Sequence, residues 1–283
     1  MRLQRQGGLE AGGAGVGWAD VVHAQFSDSL YAGTAADAAS AFCAWAAGVR
    51  APLVVTLHDV PGHDPDPARD ARRAPAYRRV AAMADAVVVS APHELSAAAP
   101  GAVLVPLPRE VLPAPGPRPA WADRPTIGVL GFVFPGKGHG EVLRAAAGAR
   151  VVALGTASPG HEGLVVELRR EADALDVELV VTGPLSEPDL HAGALAVTVP
   201  VAAYRTLGAS GSLQTWAACG RRPVVTPSPL TLALDPGTVV MAHDLTGAVE
   251  HALLHPGSTW LDAPAPPVDV AAALREVYAR VVR

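Results

Sequence analysis

The chain has 283 residues, of which 50% are hydrophobic and 17% charged, enough to bury a sizeable core in one large or two smaller domains and too apolar for wholesale disorder. A net charge of −5 argues against nucleic acid as the main partner. Two cysteines, Cys43 and Cys219, fall in apolar helix-like patterns and suit a reduced cytoplasmic protein, and no apolar run approaches the ~18 residues of a membrane helix. The first twenty residues lack the apolar segment of a signal peptide.

Short apolar runs alternate with alanine-rich helical patterns, which predicts a parallel α/β sheet. The first half reads as strands at 20–24 (DVVHA), 52–57 (PLVVTL), 86–90 (AVVVS) and 103–106 (VLVP). Helices are expected at 34–48, 71–84 and 92–98, with a polar loop over 58–70. Pro108, Pro113, Pro115, Pro117, Pro119 and Pro125 then mark a linker that should join neither helix nor sheet. The alternation restarts with strands at 126–130, 150–154, 178–181, 195–199 and 223–226. Helices at 139–148, 163–175, 187–191 and 212–219 separate them, and an amphipathic pattern over 268–282 closes the chain. Two Rossmann-like domains are predicted: 1–108, short of strands, and 126–266, joined by the 109–125 linker, with a helix at 267–283 packing back toward the N-terminal domain. Ligands of such folds sit at the carboxyl ends of the strands, here in the cleft between the domains.

Two turns carry the chemistry. Gly208-Ala209-Ser210-Gly211-Ser212 feeds a helix, so unpaired backbone N–H groups and a helix dipole converge on one anion site. The segment 131–138 (GFVFPGKG) follows a strand and precedes a helix, and it fits a P-loop up to Gly136-Lys137. The next position, where a P-loop needs Ser or Thr for Mg²⁺, is Gly138, which argues against nucleotide hydrolysis. Lys137 is nevertheless the only lysine in a chain that otherwise uses arginine, and a compact ammonium there suits a phosphate. Ser210 only half fits a G-x-S-x-G elbow, since Ser212 stands in the last glycine's place. His58 ends a strand at the face where active-site residues of this architecture lie, and His23 shares that geometry. His63, Asp64 and Asp66 match no metal-ligand spacing and fit a solvated loop.

In combination, VVHAQF (21–26), VVTLHD (54–59), YRRVAAMADAVVVSAPHEL (77–95), IGVLGFVFPGKG (127–138), LVVTGPL (179–185) and the Tyr204–Gly220 stretch with its following PVV resemble a retaining glycosyltransferase of family 4 on the GT-B fold. The likeness runs from about residue 18 to 226. It implies an α/β, GT-B architecture, with two Rossmann-like domains facing across a cleft and the N-terminal one truncated. It implies a hexosyltransferase whose donor, a sugar nucleotide, is a substrate bound by the C-terminal domain, with no cofactor and no metal. Lys137 and Gly136 would contact the donor diphosphate, together with the amides of Gly208, Ser210, Gly211 and Ser212. His58 would face the sugar and acceptor as the catalytic histidine, with His23 and Asp59 on the acceptor side.

Three positions depart from that pattern. Phe132 stands about where an arginine often precedes the lysine. The paired glutamates that hold donor sugar and ribose fall on Leu207 and Thr215, and loss of two charged hydrogen bonds should cost ~1.5–3 kcal/mol each. The usual first strand and its glycine-rich loop are missing or reduced to residues 7–17, through start-site choice or loss. An impaired, non-catalytic binding or partner protein is therefore a competing expectation, and a GT-B nucleotide-sugar epimerase a third. The acceptor, a small molecule, glycan or lipid, is open, and no basic amphipathic helix points to a membrane surface.

Overall fold

The structure, a computed structural model, describes residues 19–31, 33–64, 66–205 and 208–282. Its described residues form two compact units, one up to Leu107 together with the stretch from Asp269, the other Pro108–Val268.

The first unit begins with β1 (Val22–Phe26), the short α1 (Asp28–Tyr31) and α2 (Ala35–Ala46). It continues through β2 (Leu53–Leu57), α3 (Pro67–Ala81), β3 (Ala86–Val89) and β4 (Val103–Leu104). The four strands pair in parallel in the order β1-β2-β3-β4. Phe26, Phe42, Val55, Leu57 and Val80 fill the core on one face. α1 was not expected. α3 starts four residues before the predicted 71, because Asp66 caps Ala68 N–H and Pro67 opens the first turn, where its missing N–H costs nothing. The helix predicted at 92–98 is a 3₁₀ turn over Pro92–Ser96.

The second unit runs β5 (Thr126–Leu130), α4 (His139–Arg144), β6 (Arg150–Leu154), α5 (Glu162–Ala174), β7 (Leu179–Val181) and α6 (Glu187–Ala196). β8 (Val199–Ala202), α7 (Gly211–Ala218), β9 (Val224–Val225), α8 (Pro229–Leu232), β10 (Val240–Met241) and α9 (Leu245–Leu254) follow. Its sheet has the order β10-β9-β8-β5-β6-β7, all parallel. Counted from β5, that is the 3-2-1-4-5-6 order of a doubly wound fold, with its reversal between β5 and β8. The strand expected at 195–199 is displaced: α6 continues to Ala196, and the strand is VPVA, running through Pro200. β10 and α9 extend the unit beyond the predicted last strand. Contrary to the linker expectation, the proline-rich segment groups with this unit and includes a 3₁₀ turn, Ala120–Asp123, in the stretch between Pro119 and Pro125. It is docked by Gly116 N–H on Pro188 O (2.8 Å) and by His191 on Pro113 O (2.7 Å).

The last helix, α10 (Val270–Val281), belongs to the first unit, where Val277 and Tyr278 pack on Val54, Val88 and Val105. No helix among the described residues is long and apolar enough to cross a membrane.

Arg221 is the largest polar group in the second core, fully buried at 0% exposure. It follows Gly220, which ends α7 in the left-handed conformation (φ 71°). Its guanidinium donates to the carbonyls of Ala194 (3.0 Å), Val197 (2.7 Å) and Thr198 (3.0 Å) and to Thr259 Oγ1 (3.2 Å), and it stacks on Trp260. The end of α6 and the entry to β8 are thus satisfied by one side chain. Arg221→Met removes the donors and strands these carbonyls; unfolding should show a loss of ~3–5 kcal/mol. His139, at the start of α4, is 3% exposed with neither ring nitrogen hydrogen-bonded. Burial, aided by the nearby Lys137 charge, pulls it from 6.5 to about 4. The unfolded chain then binds the proton more readily, so stability is lost as pH falls through that window, at up to ~1.4 kcal/mol per pH unit. In His139→Leu, denaturant titrations from pH 7 to 4 should show a correspondingly shallower acid slope.

Candidate functional site

The order reversal between β5 and β8 brings together the two loops that leave the carboxyl ends of these strands. After β5, Gly131 (φ 106°) turns the chain, Pro135–Lys137 forms a 3₁₀ turn, and Gly138 (φ 74°) leads into α4. After β8 come Tyr204 and the turn into α7. The loops are laced by Arg205 N–H on Gly136 O (3.0 Å) and by an Arg205–Glu141 ion pair. A β-carbon on Gly138 would overlap the Ala203 carbonyl. Ser or Thr is sterically excluded there, so the P-loop hydroxyl is barred by the fold as well as absent from the sequence.

Lys137 and the Gly208–Ser212 turn, read separately from the sequence, meet directly. The Lys137 ammonium, 6% exposed, donates to Ser212 Oγ (2.7 Å), Leu130 O (3.1 Å) and Tyr204 Oη (3.3 Å) and lies 4.5 Å from the Tyr204 ring centroid. Tyr204 Oη is 2.5 Å from Ser212 Oγ, and Ser210 Oγ lies 3.2 Å from both hydroxyls. Ser210 also caps α7 by accepting from Leu213 N–H (3.3 Å). Its hydroxyl therefore serves a helix cap and a hydroxyl cluster, and among the described residues no histidine hydrogen-bonds it as an elbow nucleophile requires. Among the described residues, Lys137 has no acidic partner. An ammonium out of water and balanced only by neutral oxygens is costly. An anion at this point would supply the missing countercharge, beside the positive end of α7.

Gly208 is buried and Gly211 exposed at the helix start. Leu207 lies outside the described residues. Thr215 is half-buried on α7 and returns its hydroxyl to Gly211 O (3.2 Å). A cavity of about 280 Å³ opens beside it, lined among others by Arg109, Glu187, Leu190 and Gln214. Arg109 Nε donates to Gln214 Oε1 (3.0 Å). Phe132, at the arginine position, is 57% exposed.

In the first unit His58 leaves β2 on a rigidly built turn. His58 N–H bonds Phe26 O (2.8 Å), and its own carbonyl accepts from Tyr77 Oη (2.9 Å). Asp59 is left-handed (φ 53°), an unusual conformation for a residue with a side chain, and its carbonyl accepts from Arg73 (2.8 Å). Arg73 is itself gripped by Asp28 through two hydrogen bonds (2.7 and 3.1 Å). Buried Glu94 accepts from the N–H groups of Val60, Ser90 and Ala91, tying this turn to the one after β3. Burial draws His58 below its usual range, with Asp59 opposing. His23 uses both ring nitrogens internally, with Tyr278 Oη (2.7 Å) and Thr56 Oγ1 (2.8 Å), and burial lowers it to about 4. It fastens α10 to the sheet. The loop residues act locally: Asp64 pairs with Arg69 (2.6 Å), Asp66 caps α3, and His63 bonds His93 O (2.9 Å). Sequence reasoning missed Tyr204, Gln25, Arg73 and Glu94. Tyr204 opens the stretch singled out in the sequence, but no local pattern shows that its hydroxyl meets Lys137 and Ser212.

No family model matches the chain, and neither does any curated protein. Among solved structures, it is similar to sucrose-phosphate synthase from Thermosynechococcus elongatus, at 16% identity and TM-score 0.67, covering 93% of this chain and 70% of that one. It is similar also to HepE of Anabaena in complex with UDP-glucose (15%, 0.66, 93% and 74%). A UDP-forming α,α-trehalose-phosphate synthase from Burkholderia vietnamiensis matches at 15% and 0.60, over 93% and 70%. At these identities the likeness speaks for architecture: the chain has the α/β GT-B fold of these glycosyltransferases.

Proposed function

We propose that the chain is a family 4 retaining glycosyltransferase that takes its sugar from a nucleoside-diphosphate donor without a metal ion. The observation that carries this is the Lys137 ammonium, buried at the sheet's order reversal without a carboxylate and next to the α7 N-terminus. A leaving diphosphate would gain its charge there, where fixed donors stabilise it with little reorganisation. Support comes also from HepE, whose solved structure holds UDP-glucose. Transfer would proceed by front-face attack, with the leaving phosphate helping to accept the acceptor's proton and His58 contacting sugar or acceptor.

A second reading is favoured by Thr215, which stands where a carboxylate would hold the donor; the neighbouring polar groups are Gln214 and Arg109. On that reading the chain binds a sugar nucleotide but transfers nothing.

Thermal unfolding against a panel of UDP- and GDP-sugars tests the site. A donor at a hundredfold its Kd should stabilise by about 2.7 kcal/mol, a rise of roughly 5–10 °C. Lys137→Met should abolish the rise while leaving the unliganded protein as stable or more so, because it removes an uncompensated buried charge. No stabilisation by any of the nucleotides would refute both readings. Release of UDP or GDP with appearance of a glycosylated acceptor, lost in His58→Ala, would select the transferase.

A further inference from the structure

His58 Nε2 lies 2.7 Å from Gln25 Oε1. An amide oxygen only accepts, so Nε2 carries the proton and Nδ1 holds a lone pair. Among the described residues nothing donates to that lone pair. The ring's freedom is restricted by its turn, since Tyr77 holds the His58 carbonyl and Arg73 the Asp59 carbonyl. Gln25 is exposed, but its backbone is fixed: it sits in β1 opposite Thr56 in the parallel register, and its main-chain carbonyl accepts from Tyr31 Oη (2.6 Å).

We propose that Gln25 is a positioning residue that locks His58 as the Nε2–H tautomer, so that His58 presents a hydrogen-bond acceptor to an uncharged hydroxyl of a carbohydrate. This rests on the transferase reading of the site and narrows it. A neutral imidazole lone pair welcomes an O–H and repels a carboxylate or phosphate oxygen at the same point. The charged and titratable groups around the imidazole leave it neutral: His23 on β1 is itself neutral, Arg73 on α3 is spent on Asp28, Tyr77 remains protonated, and Asp59 opposes burial without overcoming it. Burial keeps the ring uncharged, and a glutamine at position 25 bonds it without adding a carboxylate that would oppose burial.

Long-range ¹H–¹⁵N spectra of the histidine rings read the tautomer with no activity required, the His58 signals being identified by their loss in His58→Gln. Wild type should show a protonated Nε2 and an unprotonated Nδ1. Gln25→Leu should give a mixture of tautomers, and Gln25→Glu should keep Nε2–H while raising the pH at which the ring becomes charged by about one unit. In the transfer assay Gln25→Leu should lower kcat/KM about tenfold at all pH values. Gln25→Glu should instead move the acid limb of the profile upward by about one unit. An Nδ1–H tautomer in wild type, or ring signals unchanged in both variants, would overturn the proposal. Ring signals as expected without transfer from any donor would uphold the lock and overturn the transferase reading alone.

Discussion

One buried positive charge sets the demands on the loops at the carboxyl end of the second unit's sheet. Lys137 sits where sheet order reverses, and its three hydrogen bonds all go to neutral oxygens. To hold an ammonium there, the fold must bring a main-chain carbonyl, a phenol and a serine to the same point, which is why the loops after β5 and β8 are cross-linked and glycine-rich. The same constraint explains the hydroxyl cluster of Tyr204, Ser210 and Ser212. Tyr204 and Ser212 accept from the lysine, and all three hydroxyls bond one another, so each has a partner within the cluster.

The first unit concentrates its buried polar groups on the turn that carries His58. Asp28, Arg73 and Tyr77 spend an ion pair and a phenol on two carbonyls of a turn, and Glu94 spends a buried carboxylate on three amides. Such investment in a loop is expected where geometry rather than stability is being held. Arg221 shows the contrasting case, a charge whose whole hydrogen-bonding capacity serves packing.

Much of the architecture was legible in the sequence. β5 and β6 were read to the residue because apolar runs bounded by turn residues have little alternative. β8 was not, since LAVTV and VPVA are both short apolar runs and Pro200 looks like a strand breaker. α8 and β10 are too short for periodicity to show, whereas α9, ten residues without a proline, carries a helical pattern in Leu245, Ala248, Val249 and Ala252 that sequence reasoning missed. Lys137 stood out as a lone lysine after a glycine, and the Gly208–Ser212 turn by composition. That they share a hydrogen bond, and that Tyr204 joins them, depends on strand order, which no local pattern encodes. Nor does GRRP reveal which arginine enters the core: Arg221 and Arg222 are chemically identical, and only the position of the α6 end decides.

The placement of α10 bears on how the protein is made. Tyr278 bonds His23 across 255 positions of sequence, and Val277 completes a core begun by Val54. During synthesis, every residue of the second unit emerges from the ribosome before that helix exists. The first unit therefore cannot cover the apolar face formed by Val54, Val88 and Val105 until residues 270–281 have been translated, after the whole of the second unit.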